Sequence, residues 1–438
     1  MPVTDLIHPA GMGDPIGPLL VALVLVLAAA KVGSEIVERF GQPGVLGELL
    51  GGVVLGNLSL LWPGFTFFGP LRGSPVIAEW AVVVDRLAQL GVIVLLFQAG
   101  LASTVRGMMR TGGSALLVAL LGNLGSLLLG YAASAILIRR LPAGLAAVAP
   151  AGFSLEYVHL FIGALISATS VGITARVLRD LGKLQSSEGQ IILGASVLDD
   201  VFGLIILAVV SAVIRSRVAG EQIEAHAIAW LAVAAIAFLG GSIVVGVWLV
   251  PRIVRQLARL RTGGVMLIAV LTFAFGMSYL STLVGLAPIV GAFAAGLILE
   301  DSHFHAFRAE WTVSQLLEPV AGFLTPIFFV VAGMQVHLET FADGTVLILA
   351  AGLVVASVLG KQFCRAGVLD RTLNRRVVGA GMIPRGEVVL IFAGIGRGLK
   401  VIDDAAFSAV VLTVLVTSVV TPPLLKLALT HPDRGKSL

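Results

Sequence analysis

Charge is scarce in this sequence. Only 12% of its 438 residues are Asp, Glu, Lys or Arg, about half the share of a soluble globular domain. Apolar residues make up 58% and mean hydropathy is +1.03, so water cannot be the solvent for most of the chain. The one cysteine, Cys364, excludes an internal disulfide, and no cysteine and histidine cluster shows metal-ligand spacing. Basic residues are missing until Lys31, so the apolar run 16–30 lacks the basic front of a secretory signal and reads as a retained span. Alternating ten-residue strands are also lacking, and an open sheet cannot sit in lipid. What remains is an all-α polytopic membrane protein, with room for about a dozen spans of roughly 20 residues and no appended soluble domain expected. The +4 net charge is read as insertion topology rather than nucleic-acid binding.

Thirteen hydrophobic segments are expected, near 15–37, 43–61, 84–103, 113–138, 155–175, 189–214, 225–250, 263–281, 283–299, 316–335, 345–366, 376–396 and 405–426. Breaks such as Gln42-Pro43-Gly44 and Arg139-Arg140-Leu141-Pro142 separate them. With the amino terminus outside, the loops place nineteen basic residues on the inner side and eight on the outer. That bias orients the carboxyl terminus inward, in the inner (plasma) membrane.

Charges left at membrane depth carry the functional argument. Segment six holds Asp199 and Asp200 side by side, segment eleven holds Lys361, and segment twelve holds Pro384-Arg385-Gly386-Glu387. A central charge costs about 2.5 to 3.5 kcal/mol on an insertion scale, so the first three with Arg385 cost on the order of 10 to 14. Ion pathways and proton relays are the usual reason for such a cost. Neighbouring helix residues point about 100° apart, so the two aspartates address different partners. Lys361 is the natural counter-ion of one, leaving the other for a hydrated cation or a proton. Ser196 shares their face and can add an oxygen. Two bland readings stand beside these: Asp199 with Lys361 as a purely structural salt bridge, and Lys361 snorkelling to the surface.

Two segments look interrupted. Pro384 lies between Gly381 and Gly386 in segment twelve, where proline removes a backbone hydrogen bond. Segment five carries Ser167-Ala168-Thr169-Ser170-Val171-Gly172-Ile173-Thr174, whose hydroxyls suit either a loosened backbone or close helix packing. Half-helix ends at the midplane are a transporter device. The seven-segment offset between the two breaks is odd, so repeats offset this way, roughly segments two to six against nine to thirteen, are inverted.

Taken with Val197-Leu198-Asp199-Asp200, Gly360-Lys361 and Gly381-Met382-Ile383-Pro384-Arg385-Gly386-Glu387-Val388, these motifs resemble the monovalent cation:proton antiporters, above all the NapA-type bacterial sodium/proton antiporters. Leu95-Leu96-Phe97-Gln98-Ala99-Gly100-Leu101 and Phe328-Phe329-Val330-Val331-Ala332-Gly333-Met334 fit as well. The resemblance implies an NhaA/NapA-like fold of thirteen spans with two crossed broken helices. It implies a core domain near 84–214 and 345–426 and a dimerisation domain near 15–61 and 225–335. It makes Asp200 the carrier of the monovalent cation and the proton, and Asp199 the partner of Lys361. Thr169 and Ser170 fall to the unwound segment beside the site, with Ser196, Arg385 and Glu387 in support. The implied protein is a homodimer in lipid, not an enzyme, without a cofactor, exchanging Na+ or Li+ for protons by an electrogenic elevator, with potassium left open. A same-fold sodium-coupled symporter of an organic anion, or a channel or sensor, is the alternative.

Overall fold

The computed structural model describes residues 16–62, 65–72, 78–102, 112–147, 153–170, 174–175, 177–178, 182–219, 225–257, 265–284, 286–299 and 312–430. Among them every regular element is helical. The principal helices are α1 (Ile16–Arg39), α2 (Gly44–Gly56), α3 (Glu79–Ala102), α4 (Gly112–Leu137), α5 (Glu156–Ser167), α6 (Ser187–Val218) and α7 (Ala225–Leu257). They continue with α8 (Val265–Leu283), α9 (Pro288–Ile298), α10 (Val313–Met334), α11 (Gly344–Gln362), α12 (Arg375–Gly381), α13 (Glu387–Gly398) and α14 (Asp404–Thr430). Among the described residues, eight helices are long and apolar enough to cross a bilayer. Shorter apolar helices include α2, α5 and α9. Large apolar side chains stay exposed along the long helices, for example Val24 and Leu128, as a surface solvated by hydrocarbon requires.

The chain divides into two compact units, one of residues 1–104 and 236–338, the other of 105–235 and 339–438. The first holds α1, α2, α3, α8, α9, α10 and most of α7. Its helices meet backbone to backbone at glycines, the small-residue packing that lets membrane helices approach closely. A Cβ placed on Gly52 would lie 2.1 Å from the Val330 carbonyl oxygen, and one on Gly333 equally close to that of Leu49, so α2 and α10 tolerate no side chain at their crossing. Helix α3 lies in this unit, where Gly91 seats on Leu324 and Gly100 on Phe293. A capping box between Thr312 and Gln315 starts α10.

Asn57, just past α2, ties the end of that helix to two segments distant in sequence, near Arg72 and at 336–338. Its amide donates to the Val53 and Val336 carbonyls, 2.8 Å each, while its Oδ1 accepts from Arg72 at 3.0 Å and from the Leu338 N–H at 3.1 Å. All four hydrogen-bonding positions of the amide are filled.

The second unit holds α4, α5, α6 and α11 to α14. Here α4 and α11 cross at Gly125 and Gly360, where a Cβ on Gly125 would meet the Gly360 carbonyl at 2.4 Å. One turn away, Gly122 leaves room for Lys361 and Cys364: a Cβ there would lie 3.3 Å from Lys361 Cδ and from Cys364 Cβ. Helix α6 starts at Ser186, whose hydroxyl accepts from the Gly189 N–H at 3.1 Å.

Both sequence-predicted interruptions are present in this unit. Helix α5 stops at Ser167, and residues 168–170 run on without helical structure; Val171, Gly172 and Ile173 lie outside the described residues. Helix α12 stops at Gly381, residues 382–386 are non-helical, and α13 resumes at Glu387. Pro384 explains the second break, having no N–H to donate.

Candidate functional site

The two interruptions are stitched to each other. The Ser170 N–H donates to the Pro384 carbonyl at 2.9 Å, the Thr174 hydroxyl to the Gly381 carbonyl at 2.6 Å, and the Thr169 hydroxyl to the Met382 carbonyl at 3.4 Å. The Ser170 hydroxyl donates to Glu387 Oε2 at 3.1 Å, which places that carboxylate at the first turn of α13, where the helix dipole favours negative charge. Gly386 permits the approach, since a Cβ there would sit 2.5 Å from the Ser170 side chain.

Arg385 does more than the supporting role expected from the sequence. Its guanidinium is fully buried and donates to the carbonyls of Ser167 and Ala168, to the Ser126 hydroxyl and to the Ser357 carbonyl, at 3.2, 2.7, 3.2 and 3.1 Å. Two of these are carbonyls freed where α5 ends, so the cation sits at the negative end of that half-helix. Its own backbone is held by Thr417 and Ser418 of α14. Three helices converge on its side chain and a fourth on its backbone.

The second ionic element lies on α6 and α11. Lys361 Nζ donates to Asp199 Oδ1 at 2.7 Å, and both side chains are wholly excluded from solvent. Lys361 therefore does not snorkel. The same Asp199 oxygen also accepts from Asn123 Nδ2 of α4 at 2.7 Å, a partner that sequence reasoning missed. Asp200 is buried beside it at 8% exposure. Asp199 Oδ2, Asp200 Oδ1 and Asn123 Oδ1 have no hydrogen-bond donor among the described residues. Ser196, expected to offer an oxygen, donates its hydroxyl to the Ile192 carbonyl of its own helix at 2.9 Å and lies 3.6 Å from the Met382 sulfur.

All eight residues singled out from the sequence, Thr169, Ser170, Ser196, Asp199, Asp200, Lys361, Arg385 and Glu387, fall in the second unit. Of these, Lys361 is paired with Asp199 and Ser170 with Glu387, while Thr169 and Arg385 each reach across to a backbone carbonyl of the other interruption. Asn123, Ser126 and Ser357 are additions from the structure. A lone amide in the middle of apolar α4 was the available signal for the first of them, because a polar side chain at that depth needs a reason. The hydroxyls carry no such signal, because serine is common where membrane helices pack.

Buried carboxylates with donor-free oxygens, a buried ion pair and two helix breaks at one level define the class: a multi-pass membrane protein with an interior ionic site of the kind found in ion-coupled carriers. The transmembrane sodium/hydrogen exchanger family matches residues 21–431, and the chain belongs to that family. It is 36% identical over 433 residues to the high-affinity Na+/H+ antiporter NhaS3 of Synechocystis sp., covering 93% of this chain and 89% of that one. It is 31% identical over 418 residues to the Na+/H+-K+ antiporter GerN of Bacillus cereus, covering 94% and 97%. The fold is similar to that of the sodium proton antiporter MjNhaP1 from Methanocaldococcus jannaschii, with a TM-score of 0.65 at 15% identity over 95% of this chain and 99% of that one.

Proposed function

We propose that the protein is a secondary active antiporter that exchanges Na+ or Li+ for protons at Asp200. The observation that carries this reading is the contrast between the two adjacent carboxylates. Asp199 is neutralised by Lys361 at 2.7 Å, whereas Asp200 Oδ1, buried one residue on, meets no donor among the described residues. A buried carboxylate in that condition is stabilised by a proton or by a cation, and the two compete for it. Family membership and the antiporter names of the relatives support the same reading.

In the proposed cycle, the cation displaces the proton from Asp200 and frees Lys361 from Asp199, and Lys361 gives up its proton in turn. Two protons then move per cation, which makes exchange electrogenic. The second unit carries the site as an elevator, with the first as scaffold and dimerisation body of a homodimer. The crossed arrangement of the two broken helices and their inverted repeat belong to this reading. So do the plasma membrane location with the amino terminus outside, and a role in pH homeostasis.

The test is proton flux in proteoliposomes containing no other solute, with sodium, lithium or potassium added in turn; potassium is included because GerN is named for it. Cation-driven proton movement by the wild type and its abolition in Asp200→Asn are expected. Equal flux in the two proteins overturns the assignment of Asp200. A requirement for an added organic anion favours the symporter. Replacement of Lys361 by Gln should remove the voltage dependence of exchange, and unchanged voltage dependence overturns the two-proton cycle.

A further inference from the structure

The carboxamide of Asn123 is left with an unused end. It is buried at 3% exposure in α4, and its Nδ2 donates to Asp199 Oδ1. Only the NH2 end of an amide can face a carboxylate oxygen that already receives the Lys361 ammonium, so the carbonyl end is identified without ambiguity. That carbonyl, Oδ1, meets no donor among the described residues. Asn57, the other deeply buried asparagine, has all four positions filled. A buried acceptor without a donor is destabilising, because it has given up its water and gained nothing in return. The fold therefore holds Asn123 in a condition that it avoids at Asn57.

The neighbours of this carbonyl share its condition. Asp199 Oδ2 and Asp200 Oδ1 are also buried acceptors without a donor among the described residues, and Lys361 is bonded to the other oxygen of Asp199. The Lys361 stem lies along α4 at Gly122, where a Cβ would be 3.6 Å from Nζ, so the ammonium lies on one side of the carboxylate and leaves the other open. Oxygens that lack donors are completed by a metal cation, and neutral carbonyls can replace the hydration shell of a monovalent one.

We propose that Asn123 Oδ1 is a neutral ligand of the transported monovalent cation, with its N–H2 group holding Asp199 so that the ion is shared by Asn123, Asp199 Oδ2 and Asp200. This inference rests on the exchange reading above. It assigns a ligand on α4, a helix from which the sequence had drawn no site residue.

The test compares wild type, Asn123→Leu and Asn123→Ser. Leucine has nearly the size of asparagine and no oxygen; serine is smaller and keeps one oxygen. Na+-driven exchange is measured in proteoliposomes, and the Na+ dependence of melting temperature is measured in detergent. Asn123→Leu is expected to raise the KM for Na+ about tenfold, the loss that one hydrogen-bond-sized interaction implies, with a smaller fall in maximal rate. Asn123→Ser should lie between, and the Na+ concentration giving half-maximal thermal stabilisation should move in parallel. If leucine fails to fold, the serine variant carries the comparison. A KM within twofold of wild type, or a lost maximal rate at constant KM, overturns the ligand assignment. Asp200→Asn is run alongside. If it still exchanges, the exchange site itself is misassigned; if it is dead while the Asn123 variants keep their KM, only this inference fails.

Discussion

Each of the two units buries an asparagine deep among its helices, and the two are treated in opposite ways. Asn57 of the first unit is a finished joint, with two donors and two acceptors engaged. Asn123 of the second makes one hydrogen bond, to a carboxylate, and keeps an oxygen open. The difference extends to whole interiors. Of the twenty-four buried polar or charged residues among those described, only Glu48, Asn57, Ser278 and Ser281 lie in the first unit. The first unit is accordingly held by glycine crossings between apolar helices, with Glu48 as its one buried carboxylate among the described residues. The second unit accepts the cost of interior polarity and leaves part of it uncompensated at Asp199, Asp200 and Asn123.

Breaking that contrast gives a graded set of outcomes. The largest effect is expected from Lys361→Met, because removing one partner of a buried pair leaves the other charge stranded and costs about 3 to 5 kcal/mol. The double variant Asp199→Asn with Lys361→Met should regain most of that loss in a detergent melting curve. If the double variant melts no higher than the single, the pair is not what the cost derives from. Next comes Asn57→Leu, which strips donors from the Val336 carbonyl and an acceptor from the Leu338 N–H. A loss of about 1 to 3 kcal/mol is expected, with the KM for Na+ unmoved, the reverse of the pattern at Asn123. A change in KM for Asn57→Leu would erase the distinction between the units.

The smallest effect concerns pH and lies outside the helices. Asp343 caps α11 by accepting from the Thr345 N–H at 2.9 Å, and that bond holds its carboxyl below the usual range. A depressed folded-state value means that the contribution is present above the ordinary carboxylate range and fades as pH falls through it. The melting difference between wild type and Asp343→Ala should therefore shrink from neutral pH to pH about 3. A constant difference would assign the cap to shape alone.

Much of this was legible in the sequence, for a physical reason. Charges in apolar runs are expensive enough to be conspicuous, so Asp199, Asp200, Lys361 and Arg385 stood out, and Pro384 marked its own interruption. Helices α5 and α13 begin and end close to where the hydroxyl-rich and proline-containing stretches placed the breaks. Partnerships were harder to see. Asn123 meets Asp199 across 76 residues, and Arg385 reaches Ser126 across 259; nothing local encodes either distance. The partners of Gly91 and Gly100 were hidden for a similar reason, because they are defined only when the helices are packed. Ser196 shows the converse: helical spacing put it on the right face, yet its hydroxyl turned to the nearest carbonyl of its own turn, as serine in membrane helices commonly does.

Cys364 packs at Gly122, where α4 meets α11. It is the sole thiol in the sequence and is fully buried beside the Lys361 stem. This chain thus carries a single thiol reporter next to its ionic site. The rate at which a small membrane-permeant alkylating reagent finds it, followed by intact mass, would time the opening of that interior without a label or a mutation.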